Sequence, residues 1–597
     1  MKNFNFLFSL LLIVLLFNSC NPSDDNSSSS QNDETFAQNF GNSVARDFIG
    51  QVVDVDNLPI QGVTISIGTN SVQTDVNGVF VINGANVHEK FAYITAKKSG
   101  YINGSRAMVP TSGKNNLKIM LLPNTPLETI QSGVESEVSI YSGTKVKFDG
   151  AFQDENGNDY SGVVSVSMFH LTPSDENISK LMPGMLYGQR ENNEQAVLET
   201  YGMLNVELRG SAGQKLNIKK GHKAEITLRV DDSQLATAPS TIPLWHFDEE
   251  KGYWKEDGLA TKVGNKYVGE VSHFSWWNCD AYSSVVTLTV TVADSNGNPI
   301  SNLGVSLMLN TPNSNSNAQL TDSNGQTSGI IPANQLITLN IKNQCGEIIY
   351  SSQIPPSSTN INLPNIIIQN NSQTQSNTVK GILTKCDNSN VTNGYVILNY
   401  VNNSLIYNVT NGDFSFNLLK CNNNNFTLQG YDLDNFQISN RLNYTFDSLI
   451  TNVGFLPTCT AIDEFIAFKV NNDPTQYIYE NIQTQNLVGN QSPDYSYVIN
   501  FNISASQGQS YMYIYGDSSQ IGNYSLNGNT NFGFAFTKII GSYSSSLAMG
   551  SGTNNNLIIN KFEAVGGYID VTFYGLGIEQ TGQILTLSGV AHIRRDN

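Results

Sequence analysis

The spacing His246-Phe247-Asp248-Glu249 is where this chain comes nearest to a chemical motif, since an H-x-x-E pair forms the first half of a zinc-hydrolase site. Such a site needs three protein ligands around a water, converging from a helix or tight turn. Here the pair lies in a Trp-rich run with Gly252 close behind, and on a strand residues three apart face opposite sides. The later histidines, His273 and His592, have no ligand context, so His246 reads as a hairpin residue. Nucleophile motifs are missing: there is no Gly-x-Ser-x-Gly elbow, no helical Ser-x-x-Lys and no thiol beside a histidine base. Phosphate-cradling glycine loops are missing too. A pair of carboxylates for glycoside hydrolysis would have to come from distant parts of the chain. Asp75 to Gly78 and Asp322 to Gly325 share the Asp-x-Asn-Gly opening of calcium loops but lack the remaining ligand positions. They read as hairpin turns in which the Asp side chain and Gly satisfy the backbone locally. No catalytic residue, cofactor or metal is expected.

Binding chemistry has one candidate. All four tryptophans, Trp245, Trp254, Trp276 and Trp277, fall in one short region together with Tyr253. Exposed aromatics of this kind stack on sugar rings, which makes these five the candidate ligand-binding residues. The competing reading is a domain core, because buried Trp anchors β-sandwiches routinely. Adjacent Trp276 and Trp277 point to opposite faces of any strand that holds them, so at least one is a candidate for exposure.

Six cysteines bear on location. Lys2, an apolar stretch from Phe4 to Phe17 too short to span a bilayer, and then Asn18-Ser19-Cys20 follow the order of an export leader. This resembles the lipobox of bacterial lipoproteins, which implies that Cys20 carries the lipid and that residues 1–20 are a signal peptide. The run Asn21 to Asn26, with Asp24 and Asp25, resembles the export signal that sends Bacteroidota lipoproteins to the outer face of the outer membrane. Residues 21–46 are rich in Ser, Asn and Gln and read as a disordered tether. In an oxidising setting Cys279, Cys345, Cys386, Cys421 and Cys459 are the candidate disulfide formers. Intra-module bridges are expected, Cys279 to Cys345 and one pair among the last three. The odd number leaves one thiol free or paired between chains.

These residues must be positioned by several small domains, since 597 residues exceed what one hydrophobic core supports. A charged fraction of only 14% with abundant Asn, Ser, Thr, Gly and Tyr suits pleated sheets joined by polar turns. The net charge of −18, with no Lys/Arg cluster along the sequence, disfavours a nucleic-acid partner.

An internal repeat organises the chain. Gly50-Gln51-Val52-Val53-Asp54, Pro59-Ile60, Gly62 to Ile67 and Thr74-Asp75-Val76-Asn77-Gly78 return as Val290 to Asp294, Pro299-Ile300, Gly304 to Leu307 and Thr321-Asp322-Ser323-Asn324-Gly325. A degraded copy runs from Val379 through Thr410-Asn411-Gly412-Asp413. Short alternating strands broken by Asn-Gly and Pro turns build a small sandwich. The repeat resembles the carboxypeptidase regulatory-like domain, which implies a seven- to eight-stranded sandwich of carbohydrate-binding-like fold. Leu244-Trp245-His246-Phe247 followed by His273-Phe274-Ser275-Trp276 resembles the β domain that follows such a module in cartilage intermediate layer proteins. Leu557 to Phe562, Gly566 to Phe573 and Leu585 to Gly589 read as three consecutive strands, and they resemble a C-terminal β module of Bacteroidota surface lipoproteins.

The expected organisation is an all-β, immunoglobulin-like string of sandwiches behind the tether: 47–123, a larger β domain 124–283 with a Trp-rich end, repeats 284–372 and 373–459, and a C-terminal module 460–597. The expected function is non-enzymatic: binding or adhesion, with a glycan or surface protein as partner, on a lipid-anchored outer-membrane protein exposed at the cell surface. The alternatives are an accessory or structural subunit of an envelope complex and, with least support, a secreted hydrolase.

Overall fold

The structure, a computed structural model, describes residues 33–309, 319–369 and 375–461 apart from positions 76, 99, 402, 422, 436 and 447, and beyond them mainly strand backbone. The leader and Cys20 lie outside the described residues.

The protein is all-β and built of tandem sandwich sheets. In the first module the strands Val79–His88, Ser43–Val53 and Lys114–Met120 form one sheet. Asn70–Gln73, Thr64–Ile67, Ala92–Lys97 and Gly104–Met108 form the sheet that faces it. Phe48, Val52, Ile65, Phe80, Ile94 and Ile119 fill the space between them. The third module repeats this order, with Val285–Asp294 at the centre of one sheet and Gly304–Leu309 beside Ile337–Lys342 in the other. The fourth gathers Gln375–Lys385, Gly394–Tyr400, Asp413–Lys420 and Ile450–Ala461 into an eight-stranded sheet.

The Thr-Asp-x-Asn-Gly signature acts in the same way in both copies. Thr74 Oγ1 donates to the Ile60 carbonyl at 2.7 Å and accepts from the Val63 amide at 2.9 Å. Thr321 does the same with Ile300 and Leu303. Asp75 Oδ1 accepts from the amides of Asn77 and Val79, and Asp322 Oδ1 from those of Asn324 and Gln326. Gly78 and Gly325 close the turns at φ 66° and 70°, where an added Cβ would collide with the carbonyl of Val52 or Val292.

Between these copies a 14-stranded sheet runs over residues 128–283. The C-terminal run pairs Asn556–Phe562, Tyr568–Glu579 and Ile584–Arg594 as consecutive antiparallel strands.

Two expectations need correction. The tether does not extend to residue 46: a helical turn through residues 33–40 packs down and the first strand begins at Ser43. Phe36 and Phe40, one helical turn apart, are buried against Phe91, Tyr187 and Tyr253, so these two aromatics override the polar composition around them. The modules stand in tandem as expected, and neighbours also share cores. Val53, Ile102, Met120 and Leu122 of the first share one core with Leu171, Trp245, Trp254 and Trp276 of the second. Finally, Cys279 does not bond Cys345: Cys345 bonds Cys421 and so staples the third module to the fourth, while Cys386 bonds Cys459. Cys279 is the odd thiol, and full burial in the core of the second module pushes its pKa up and withholds it from any other chain.

Candidate functional site

The aromatic cluster offers no surface to a ligand. Trp245 and Trp254 are fully buried, and Tyr253, Trp276 and Trp277 are at most 2% exposed. Trp276 and Trp277 do point to opposite faces, but both faces are covered. Trp277 enters the second module's own core beside Phe274 and Cys279, and Trp276 enters the core shared with the first module. Two of the indoles are tied internally as well, with Trp277 Nε1 donating to the His273 carbonyl at 2.9 Å and Trp245 Nε1 to that of Asp280 at 3.2 Å. The expectation of sugar stacking at these five residues is therefore corrected: the partner of the outer face is the first module.

His246 belongs to the same packing. Its ring meets His273 edge-on at 4.6 Å and lies 5.6 Å from Trp277. Burial lowers its pKa to about 3, with the neighbouring His273 acting in the same direction, so the ring is neutral. Among the described residues no three His, Cys, Asp or Glu side chains are placed to hold a metal ion.

The open site lies elsewhere, where the first, third and fourth modules fold back on one another and the second contributes Ser179 and Lys180. These surfaces enclose a cleft of about 900 Å³. Eleven Asn and Gln side chains line it, among them Asn116, Asn343, Gln344, Asn399 and Gln429. Five cations also line it, Arg106, Lys118, Lys180, Lys342 and Arg441, against a single carboxylate, Asp56. In a chain of net charge −18 the local sign is thus reversed.

Each cation arrives from its own strand or loop. Arg106 is on Gly104–Met108 and Lys118 on Lys114–Met120 of the first module, and Lys180 is on the short helix Ile178–Leu181. Lys342 ends Ile337–Lys342, and Arg441 precedes Leu442–Thr445. Their contacts are with neutral groups. Arg106 Nη1 donates to the Met182 carbonyl at 3.2 Å, and Lys180 Nζ to Asn57 Oδ1 at 3.2 Å and Asn177 Oδ1 at 3.0 Å. Burial lowers the Arg106 guanidinium to about 10, with no carboxylate raising it back. Burial, and then the charge of Lys180, lowers Lys118. Lys180 is likewise lowered by burial, against a partial pull from Glu176 and Asp175. None of the five sits in an ion pair among the described residues; the ion pairs there use cations between Lys145 and Lys255. The absence of Lys/Arg clustering along the sequence thus gives a false picture, because the fold collects cations spread from position 106 to 441.

Besides the Cys345–Cys421 bond between the third and fourth modules, two joints hold the cleft walls. Between the first and third modules, Thr111 Oγ1 and the Gly113 amide donate to Asp322 Oδ2 at 2.7 and 2.9 Å, and the Lys114 amide donates to Ser323 Oγ at 3.0 Å. Between the first and fourth, the Tyr395 hydroxyl donates to Asp75 Oδ2 while Asn77 Nδ2 reaches the same phenol oxygen at 3.2 Å.

No family model matches the chain. Cartilage intermediate layer protein 2 of Homo sapiens is 32% identical over 151 residues, 24% of this chain and 12% of that protein. The Mus musculus protein of the same name is 27% identical over 116 residues, 19% of this chain and 10% of its own length. The chain thus spans about an eighth of the human relative at 12%. Among solved structures, a streptococcal ancillary pilin aligns with 40% of this chain and 99% of its own at 10% identity and a TM-score of 0.13. The major pilin BcpA of Bacillus cereus aligns with 70% and 100% at 9% identity and a TM-score of 0.12. Superpositions this loose carry no argument about the chain.

Proposed function

We propose that this chain is a non-enzymatic binding or adhesion protein of a bacterial cell surface, held there by lipid on Cys20, whose inter-module cleft takes a carbohydrate. The observation that carries the reading is the cleft lining. An Asn or Gln side chain carries two donors and an acceptor in one plane, the set that pairs with neighbouring hydroxyls on a sugar ring, and lining amides such as Asn116, which gives one donor to the Thr321 carbonyl, keep part of that set for a ligand. At about 900 Å³ the cleft is large enough for a short glycan segment and too small for a folded domain. Its walls come from separate sandwiches, so recognition rests on amides rather than on the stacked aromatics first considered.

The test is a panel of cell-wall and plant polysaccharides against the purified full chain and Gly304→Trp. Gly304 lines the cleft, and an added Cβ there meets only Lys342 Cβ, at 3.8 Å. A bulky residue at this position has room at its base and fills the site. Saturable binding that Gly304→Trp abolishes, with an unchanged thermal midpoint, supports the reading. Binding that survives the substitution, or no binding across the panel, removes the cleft from consideration. Protease shaving of intact cells, with a periplasmic control, tests the surface location separately.

A further inference from the structure

We infer that the cleft selects acidic glycans, segments whose sugars carry carboxylate or sulfate groups, over neutral ones. This deepens the carbohydrate reading and rests on it.

The argument starts from what the five cations cost. A guanidinium 7% exposed, bonded to a backbone carbonyl with no carboxylate beside it, is a net burden on the fold, and so is the half-buried Lys118, which burial and the charge of Lys180 both disfavour. In the second module, by contrast, several cations stand beside acids: Arg190 beside Glu256 at 3.0 Å, Lys255 beside Asp33 at 2.8 Å and Lys219 beside Asp159 at 2.6 Å. The cleft lacks this neutralisation although Asp and Glu outnumber Lys and Arg by 50 to 32 in the chain. Unpaired positive charge behind amide-lined walls is the complement of a polyhydroxylated anion. Arg supplies planar paired donors to a carboxylate or sulfate, and the Lys ammonium groups follow a repeating charge along a polymer. A neutral glycan would satisfy the amides and leave every cation as it stands.

The probes are a short oligogalacturonate, its methyl ester, dextran sulfate, dextran and a single-stranded oligonucleotide, titrated into the full chain. The proposal expects at least one acidic glycan to bind about tenfold or more tighter than its neutral counterpart, a ratio equal to about 1.4 kcal/mol. The oligogalacturonate and dextran sulfate arms separate a carboxylate preference from a sulfate preference. Lys118→Gln with Lys180→Gln is expected to weaken acid binding about tenfold or more and so to close most of the gap between acidic and neutral glycans. Arg106→Gln is expected to do the same while the thermal midpoint stays level or rises, since a buried unpaired charge has been removed. Equal binding of acid and ester, or acid binding indifferent to the lysine pair, overturns the selectivity. In that case binding that Gly304→Trp still abolishes would leave the carbohydrate reading standing. Binding of neither acid, or preference for the oligonucleotide, overturns the inference, and loss of all glycan binding overturns the reading beneath it.

Discussion

The turns at Asp75 and Asp322 occupy the same place in two copies of one repeat, and each spends one carboxylate oxygen on its own hairpin and the other on a neighbouring module. The joints they make differ in kind. Asp322 is 1% exposed and receives a hydroxyl and a backbone amide from a loop that also bridges Val109 to Ser328. Asp75 is half-buried and receives a phenol, in a contact whose remaining substance is apolar: Ile49, Val79, Ile397 and Ile406 around Tyr395 and Tyr431, whose rings stack at 4.7 Å. A repeat thus supplies a spare acceptor at a fixed place, and the neighbour decides whether the joint is a hydrogen-bonded seam or an apolar contact with one buried acid. Both reach the cleft, since Asn116 of its lining donates to the Thr321 carbonyl at 3.4 Å and Asn77 of its lining touches Tyr395.

If the two joints differ as described, breaking them should give unequal effects. Asp322→Ala strips four donors of their acceptor in a site closed to water and is expected to cost about 3 kcal/mol, the largest effect. Denaturant unfolding checks it, and equal losses for Asp322→Ala and Asp75→Ala would erase the distinction. Tyr395→Phe keeps the stacked rings and apolar contact and removes only the hydroxyl, so about 1 kcal/mol is expected. A loss as large as that of Asp322→Ala would show that the phenol, and not the apolar packing, holds the first module to the fourth.

The difference between local and assembled features also explains what the sequence reveals. Strand period is local: Val285–Asp294 alternates buried and half-buried positions as its residues alternate, and Thr-Asp-x-Asn-Gly carries its hairpin wherever it occurs. The all-β sandwich class therefore follows from short windows. The Trp cluster is equally visible, but the fate of Trp276 depends on what covers the far face of its sheet, and that cover lies more than 150 residues away at Met120 and Leu122. Phe36 and Phe40 are hidden by polar neighbours, and the Cys345 to Cys421 bond crosses between modules where sequence spacing suggests bonds within them. The cleft is the extreme case. No window of the chain holds two of its five cations closer than Arg106 and Lys118, and no motif marks Lys342 or Arg441. An interface among four modules leaves no trace in the sequence of any one of them.

The smallest expected effect separates the joints most sharply, because it turns on charge alone. Burial, partly offset by bonds from Tyr395, Val79 and Asn77, raises the Asp75 carboxyl from 3.8 to about 6. The folded state then holds a proton that the unfolded chain releases, so this contribution is complete below about pH 4 and is lost as pH rises through about 6. Between those limits the first–fourth joint should weaken by on the order of 1 kcal/mol. The measurement is the thermal midpoint across that window for the parent and Asp75→Asn, which keeps an acceptor for the Asn77 and Val79 amides and carries no charge. The difference between the two curves should grow towards neutral pH in favour of the asparagine. Parallel curves would mean that Asp75 does not titrate in the joint, and the two repeat turns would then be electrostatically alike.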